Sequence, residues 1–284
     1  MDLGFAYLQI YSEVANLDWN KTKTIFIIVF SILNVFLFSL YLNRYNEASD
    51  VVVPRDTPIE ERLVLDNIKV EKTEGIIQEA SYVSGSVHIF STEELGQLTN
   101  QTVEVKEDYQ LIGTFKEPLQ ITEENTLEKL LQENIIRGSS YELWKVDEEN
   151  QSATLFQTVN NRLVYYNQNA KVVVYWNDEQ EIIRYEQTIL DNLEDYNESK
   201  KLLPTMQAIN LLYSRTLIKP DSTVKEINLG YSTLAQQAET QVFAPTWHIL
   251  VELSNGTIEE HFVNAVEGRI IEIPKKEVEQ AVVE

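Results

Sequence analysis

Few side chains in this sequence are of the types that carry out chemistry. The 284-residue chain contains no cysteine, which excludes thiolate nucleophiles, disulfides and cysteine-based metal sites. Its three histidines, His88, His248 and His261, lack the HExxH and HxH spacings of metal sites, and we expect each to be structural or on the surface. The GxSxG nucleophile motif, the P-loop and the GxGxxG fingerprint are also missing. The sequence therefore predicts no catalytic residue, no cofactor and no metal ligand.

Neighbouring carboxylates are the remaining candidates for chemistry. They occur at 123–124, 147–149 and 259–260, but their spacing differs from that of a calcium-binding EF-hand loop. The chain has 45 Asp and Glu against 23 Lys and Arg, a net charge of −22, so adjacent acids are expected by chance on a solvated surface. A surface this acidic repels phosphate groups, which argues against nucleic acid as a partner.

An uncharged apolar segment occupies residues 25–42 and has only Ser31, Asn34 and Ser39 as strongly polar members. A helix of this length spans about 27 Å, close to the hydrocarbon thickness of a bilayer. A buried core helix would show a polar stripe. A secretory signal would have a shorter apolar run and a cleavage site of small residues, which 42–45 do not supply. The segment therefore predicts an uncleaved, single-pass transmembrane helix.

The charges that flank this helix predict its orientation. Lys21 and Lys23 precede the segment, whereas Arg44 is followed by Glu47 and Asp50. The more positively charged flank of a transmembrane helix stays in the cytoplasm. We therefore expect a protein of the cell membrane with a cytoplasmic N-terminus and an extracellular C-terminal part. The first 44 residues hold as many acidic as basic side chains, so the whole net charge lies on the exported part.

Three polar side chains in the segment are candidate partner-binding residues. Ser31 and Asn34 are three residues apart and Tyr41 is seven beyond Asn34, so a helix places all three on one side. An amide in hydrocarbon is stabilised by hydrogen bonds to another helix. We expect these residues to contact a partner helix; the alternative is that one Asn is simply tolerated in a long apolar run.

The chain beyond this helix predicts an α+β fold. Apolar residues at helical spacing predict helices over 122–137, with Thr122 as N-cap, and over 204–217. Short segments rich in β-branched and aromatic residues predict antiparallel strands, and each helix would cover one face of a sheet. These strands are predicted at 82–90, 101–106, 110–115, 141–147, 153–158, 162–166, 171–176, 181–188, 224–231, 246–253, 257–265 and 269–273.

Helix followed by an antiparallel meander occurs twice, which indicates two modules. The repeat is one of topology, since residue identity between the two halves is weak. The predicted organisation is a cytoplasmic N-terminus at 1–24, the transmembrane helix at 25–42, a proline-containing linker at 43–60, modules at 61–198 and 199–275, and a tail at 276–284.

Turn residues and one tryptophan refine this prediction. Residues 177–180 and 255–256 predict hairpins, the second through the Asn-Gly pair of a type I′ turn, since both of its central residues need positive φ. We expect Trp247 to be buried between helix 204–217 and the sheet, with Phe262 on a neighbouring strand as a candidate contact.

Three segments resemble those of the YycI family, also called WalI. Residues 18–28, DWNKTKTIFII, resemble the family's N-terminus, and 243–247, FAPTW, and 262–268, FVNAVEG, resemble its C-terminal part. The resemblance covers residues 17 to about 275. Family members begin at the residue that matches Leu17, so we expect Leu17 to be the natural initiator, read as methionine from a UUG codon, with the residues before it untranslated.

The resemblance implies a regulatory role. Members of the family are membrane-anchored accessory proteins of Firmicutes that act, with the related YycH protein, on the sensor histidine kinase WalK (YycG). That kinase controls cell-wall metabolism through its response regulator WalR (YycF), in a two-component system. The resemblance also implies the absence of a catalytic site and an exported part similar to the two C-terminal domains of YycH.

Two other functions compete with that of a regulator. An exported enzyme, for example a wall hydrolase, would need a nucleophile or an acid/base pair in a cleft, and the motifs provide neither. An anchored extracellular module of PepSY type, which binds a ligand or inhibits a protease, is favoured only by the C-terminal segment, whose strand ends in a small-residue turn. The resemblance favours the non-enzymatic regulator.

Overall fold

The structure is a computed structural model that describes residues 19–49, 58–71, 77–233 and 240–272. The chain divides into an N-terminal unit, Met1–Val53, and a second unit, Pro54–Glu284. The predictions for Leu17, for the untranslated residues before it and for the tail at 276–284 fall outside the described residues.

The described part of the first unit is one long helix, α1 (Trp19–Ser49). Its apolar stretch Lys23–Leu40 has a mean hydropathy of 2.2, and every side chain in that stretch is exposed. By length and composition α1 can therefore cross a membrane. The helix extends past the predicted end at residue 42 because 43–49 contain no glycine or proline to end it, so part of the predicted linker is helical.

The second unit is a mixed α+β fold that consists largely of strands. Its described helices are α2 (Ile59–Leu65), α3 (Thr92–Leu95), α4 (Leu127–Asn134) and α5 (Thr205–Ser214). Its described strands are β1 (Lys69–Val70), β2 (Glu79–Val87), β3 (Gln101–Lys106), β4 (Gln110–Gln120), β5 (Tyr141–Asp147), β6 (Ser152–Val159), β7 (Arg162–Tyr165), β8 (Lys171–Trp176), β9 (Glu181–Gln187), β10 (Leu190–Lys201), β11 (Thr223–Thr233), β12 (Thr240–Glu252), β13 (Ile258–Asn264) and β14 (Arg269–Ile271).

These strands form one hydrogen-bonded network in the order β10-β2-β12-β11-β7-β6-β8-β9-β4-β3. The other described strands attach to its sides, β13 to β12, β14 to β13, β5 to β6 and β1 to β11. The predicted α+β class is confirmed. The sequence predicted antiparallel strands, and most of the described pairings are antiparallel. Two pairings, β1 with β11 and β7 with β11, are parallel and were not predicted.

Strands from both halves of the second unit interleave. Strand β2, from the first predicted module, pairs with β10 on one side and with β12 of the second predicted module on the other. A small core that includes Val83, Val164, Tyr231 and Phe243 lies between the two larger ones, which are centred on α4 and α5. The division into modules at residue 198 stays a prediction.

Strand β10 was not predicted from the sequence. Its sequence, LDNLEDYNESKK, is charged and lacks the alternation of apolar and polar residues by which strands are recognised. The strand lies at the edge of the described network, where it pairs with β2 through two register shifts. Most of its side chains face solvent, so the strand does not need apolar residues at alternate positions, and its sequence lacks the pattern that would predict a strand.

Helix α4 is shorter than the predicted helix at both ends. Thr126, not Thr122, is its N-cap, and its side chain accepts the backbone N–H of Lys129. Thr122 instead caps a preceding turn by accepting the backbone N–H of Asn125 at 3.0 Å. Gly138 lies beyond the helix, where a Cβ would come within 2.1 Å of the Leu131 carbonyl oxygen, so a close backbone approach explains this glycine.

Both predicted hairpins are present, but one turn differs from its predicted type. Residues 177–180 join β8 to β9, and 253–257 join β12 to β13. Gly256 has a φ of +82°, whereas Asn255 is absent from the residues with positive φ. The backbone N–H of Gly256 donates to the Leu253 carbonyl, so the turn is a type I turn followed by a left-handed glycine, not a type I′ turn.

Trp247 is buried under α5, as predicted. Its side chain is 3% exposed and belongs to the core that contains Ile209 and Leu212 of that helix. The indole N–H donates to the carbonyl of Leu203 at 2.9 Å. The expected contact with Phe262 is wrong, because Phe262 lies opposite His248 in the register and faces the other side of the sheet.

Replacing Trp247 with alanine should destabilise the second unit. The substitution removes a fully packed ring and leaves the Leu203 carbonyl unpaired, for which we expect a loss of about 3–5 kcal/mol in unfolding free energy. For a domain of this size that lowers Tm by roughly 6–20 °C, measurable by near-ultraviolet circular dichroism of the full-length protein. Trp247→Phe, which keeps most of the apolar contact, should lose much less. An unchanged Tm for Trp247→Ala would show that the ring contributes nothing to the core.

Candidate functional site

The predicted partner-binding residues lie on α1. Ser31 and Asn34 are exposed in the described helix. Tyr41 belongs to the same helix, but its side chain lies outside the described part of the chain. At about 100° per residue the three positions share one side of α1. Their contact with a partner helix stays a prediction.

A second candidate site is a cluster of aromatic rings in the second unit. Neighbouring ring centroids in this aromatic cluster are 4.9–5.8 Å apart, the range of favourable aromatic pairs. The cluster joins β5, β6 and β7 of the first half to β12 and β13 of the second. Its members are Trp144, Phe156, Tyr165, Tyr166, His248 and Phe262.

Hydrogen bonds fix the orientation of Trp144 in the aromatic cluster. The indole N–H of Trp144 donates to the hydroxyl of Tyr166 at 3.2 Å. That hydroxyl in turn donates to a carboxylate oxygen of Glu260 at 2.8 Å. Three strands that are distant in sequence thus hold one partly exposed tryptophan in place.

The backbone is irregular at both aromatic residues of this relay. Trp144 has no opposite residue in β6, because the register shifts between Leu143 and Lys145, so it occupies a β-bulge. Tyr166, directly after β7, has a φ of +48°, a left-handed conformation that is unfavourable for a bulky residue. Bulges and left-handed residues often re-aim side chains at functional sites, and here both irregularities orient rings of the same cluster.

A groove of about 490 Å³, which we call the aromatic groove, opens beside this cluster. Trp144, Tyr165 and His248 form its aromatic wall. Burial and the nearby Glu142 carboxylate raise the pKa of Tyr165, which therefore stays a neutral phenol. The remaining lining residues are Ile77, Glu142, Leu143, Asn161, Arg162, Leu163, Glu226, Asn228, Leu229, Leu250 and Glu260.

A charged cluster surrounds His88 at the end of β2. The His88 ring is 8% exposed; its Nδ1 lies 3.2 Å from a carboxylate oxygen of Asp191, and its Nε2 lies 3.2 Å from one of Glu94. Arg137 approaches both acids, at 3.3 Å from Asp191 and 4.0 Å from Glu94. The cluster therefore ties α3, the segment after α4 and the start of β10 to β2.

Local hydrogen bonds stabilise both carboxylates of this charged cluster in their ionised forms. The backbone N–H of Ser91 lowers the pKa of Glu94, helped by the Ser91 hydroxyl, His88 and Arg137. The backbone N–H of Asn192 lowers the pKa of Asp191, and His88 and Arg137 add to the effect. The two carboxylates lie at opposite ring nitrogens of His88, so they cannot chelate one metal ion together.

Sequence reasoning missed both the aromatic groove and the charged cluster. It treated the histidines singly, and it considered Glu259 and Glu260 only as a pair. In the structure Glu259 contacts Lys219, whereas Glu260 accepts a hydrogen bond from Tyr166. Within the described ranges, no three His, Asp or Glu side chains are grouped in a way that would hold a metal ion.

Comparison with known proteins identifies a family. The family model described as "YycI protein" matches residues 46–266 of the chain. No curated protein matches the sequence. A crystal structure of an uncharacterized protein from Eubacterium rectale shares 13% identity and a TM-score of 0.46, over 73% of this chain and 91% of that one. A likeness at that level carries no argument about function.

The charged cluster predicts a loss of stability in acid. Glu94 and Asp191 have pKa values below the ordinary 4.5 and 3.8, so the unfolded chain takes up protons before the folded one. Their contribution to the unfolding free energy is complete above pH 4.5 and is lost as pH falls through the lowered pKa values. The double variant Glu94→Gln/Asp191→Asn should therefore lose stability less steeply below pH 4.5, measured by urea unfolding of the full-length protein.

Glu93→Gln provides the matched control for this measurement. Glu93 is an exposed neighbour in the same short helix, so its variant should follow the wild-type pH dependence. Identical acid slopes for the double variant and the wild type would contradict the assigned role of the two carboxylates.

Proposed function

Because the chain belongs to the YycI family, we propose that it is a non-enzymatic, membrane-anchored accessory protein that modulates a sensor histidine kinase of the WalK type. In this proposal it acts with a YycH-like protein in the two-component system that controls the cell wall. The observation that carries the proposal is the family match over residues 46–266, which includes almost all of the second unit.

The apolar helix supports anchoring in the cell membrane. Eighteen residues of α1, Lys23–Leu40, have the length and composition of a membrane span, and the family is one of membrane-anchored regulators. We propose that the N-terminus is cytoplasmic and that the second unit is extracellular, since Lys21 and Lys23 lie before the span. A second unit outside the cell would meet extracellular signals, and α1 would meet the partner's helices in the bilayer.

The described polar clusters support a role without catalysis. His88 lies between two carboxylates that contact opposite nitrogens of its ring. His248 lies within the aromatic cluster, stacked on Phe262 at a centroid distance of 4.9 Å. Both histidines thus join separate elements of the fold through the contacts that hold their rings.

Co-purification tests the proposed partners. Full-length protein with an affinity tag, solubilised from native membranes in mild detergent, should retain a sensor histidine kinase and a YycH-like protein. A version whose residues 25–42 are replaced by an unrelated transmembrane helix should retain less of both, because the proposal includes contacts inside the bilayer. Recovery of neither protein with the natural helix would contradict the proposed function.

Asn34 provides a sharper test of the contact within the membrane. Asn34→Leu should keep insertion intact but weaken association about 3- to 30-fold, because an interhelical hydrogen bond contributes about 0.6–2 kcal/mol. Phe36→Leu is the control, since residue 36 lies on a different side of α1. A bilayer two-hybrid assay at matched expression measures the difference. Equal signals for wild type and Asn34→Leu would place the main contact in the extracellular unit.

A further inference from the structure

We propose that the aromatic groove binds the guanidinium group of an arginine carried by an extended segment of a protein partner. This site lies in the second unit and is separate from the transmembrane contact proposed above. The charge of the groove, the ring that forms its wall and the irregular backbone that positions this ring all favour such a ligand.

The acidic side chains of the groove favour a positively charged ligand. Glu142, Glu226 and Glu260 line it, against the single guanidinium of Arg162. Glu142 and Glu226 are exposed, and Glu260 is half-buried at the end of the relay from Trp144. The chain as a whole carries a net charge of −22, so an acidic ligand or a second copy of the chain would be repelled.

The aromatic wall of the groove favours a planar cation, which can stack on a ring. Trp144 is half-buried and lines the groove beside Glu142, two residues earlier in the same strand. Tryptophan is the most favourable ring for a cation–π contact, and a guanidinium stacks on such a face while it pairs with a neighbouring carboxylate. An ammonium group lacks the planar face, so arginine fits this combination of ring and acid better than lysine.

The ring is held in place before any ligand arrives. The β-bulge at Trp144 turns its side chain towards the groove, and the left-handed Tyr166 positions the hydroxyl that accepts the indole N–H. A pre-positioned binding group raises affinity because less conformational entropy is lost on binding.

The size and lining of the groove favour a polypeptide over a free amino acid. Its volume of about 490 Å³ exceeds that of one guanidinium, and the apolar side chains of Leu163 and Leu250 also line it, with Leu250 between Glu226 and Glu260 in the strand register. Such a lining matches the side chains that flank an arginine in an extended chain. The occupant is therefore a short basic segment with apolar neighbours.

Nuclear magnetic resonance of the indole N–H groups tests the proposal at one site. The chain has four tryptophans, so ¹⁵N-indole labelling of the full-length protein in phosphatidylcholine nanodiscs gives few signals, each assignable from a Trp→Phe variant. The probe is acetyl-Leu-Arg-Leu-amide, and its control is the same peptide with citrulline, the neutral isostere of arginine. We expect a saturable shift of the Trp144 signal with the arginine peptide, and affinity at least tenfold weaker for the citrulline peptide and for free arginine.

A matched pair of variants separates the groove from general acidity. Glu142→Gln, at an exposed groove residue, should weaken binding about tenfold, because it removes a carboxylate beside Trp144. Glu259→Gln removes the same charge at a residue that contacts Lys219 and does not line the groove, so it should bind as the wild type does.

Three outcomes would overturn the proposal. Equal affinity for the arginine and citrulline peptides would show that charge is not recognised, and this comparison needs no variant. Equal weakening by Glu142→Gln and Glu259→Gln would assign the binding to overall charge. Free arginine that binds as tightly as the peptide would show that the site takes a small molecule and not a polypeptide.

Discussion

The parallel pairing of β7 with β11 is the constraint on which the second unit depends. It places Tyr231 opposite Val164 and Ser232 opposite Tyr165, and together with the pairing of β2 with β12 it links the strands of the first half to those of the second in the main strand order. Gly230 makes this approach possible, because a Cβ there would lie 2.3 Å from the Tyr165 ring. Tyr165 thereby crosses β11 and reaches His248, which builds the wall of the aromatic groove.

The same link explains why the two halves share a core. Val164 and Tyr231, which are partners in the pairing, belong with Val83 and Phe243 to the small core between the larger ones. Each larger core lies under its own helix, α4 or α5, as a layered α+β fold requires. Because the middle core draws on β2, β7, β11 and β12 together, a ligand that moves β7 would disturb packing on both sides of it.

Local patterns in the sequence predicted much of this fold and little of its candidate site. The strands at 101–106, 141–147 and 171–176 have the bounds that the sequence predicted, because alternation and β-branched residues are local signals. The site depends on contacts across the chain. His88 and Asp191 are 103 residues apart, and Tyr166 and Glu260 are 94 apart, so neither pair leaves a motif with fixed spacing.

The irregular backbone distinguishes the aromatic cluster from an ordinary core. A bulky residue held at positive φ costs about 1–3 kcal/mol and persists only where surrounding contacts compensate for it. Tyr166 has such contacts, since its ring packs against Phe156 and Phe262 while its hydroxyl joins Trp144 to Glu260. Asparagine or glycine at position 166 would relieve the backbone but release the indole. The contacts of Tyr166 thus compensate for its left-handed backbone, and through its hydroxyl they also orient Trp144, a half-buried ring.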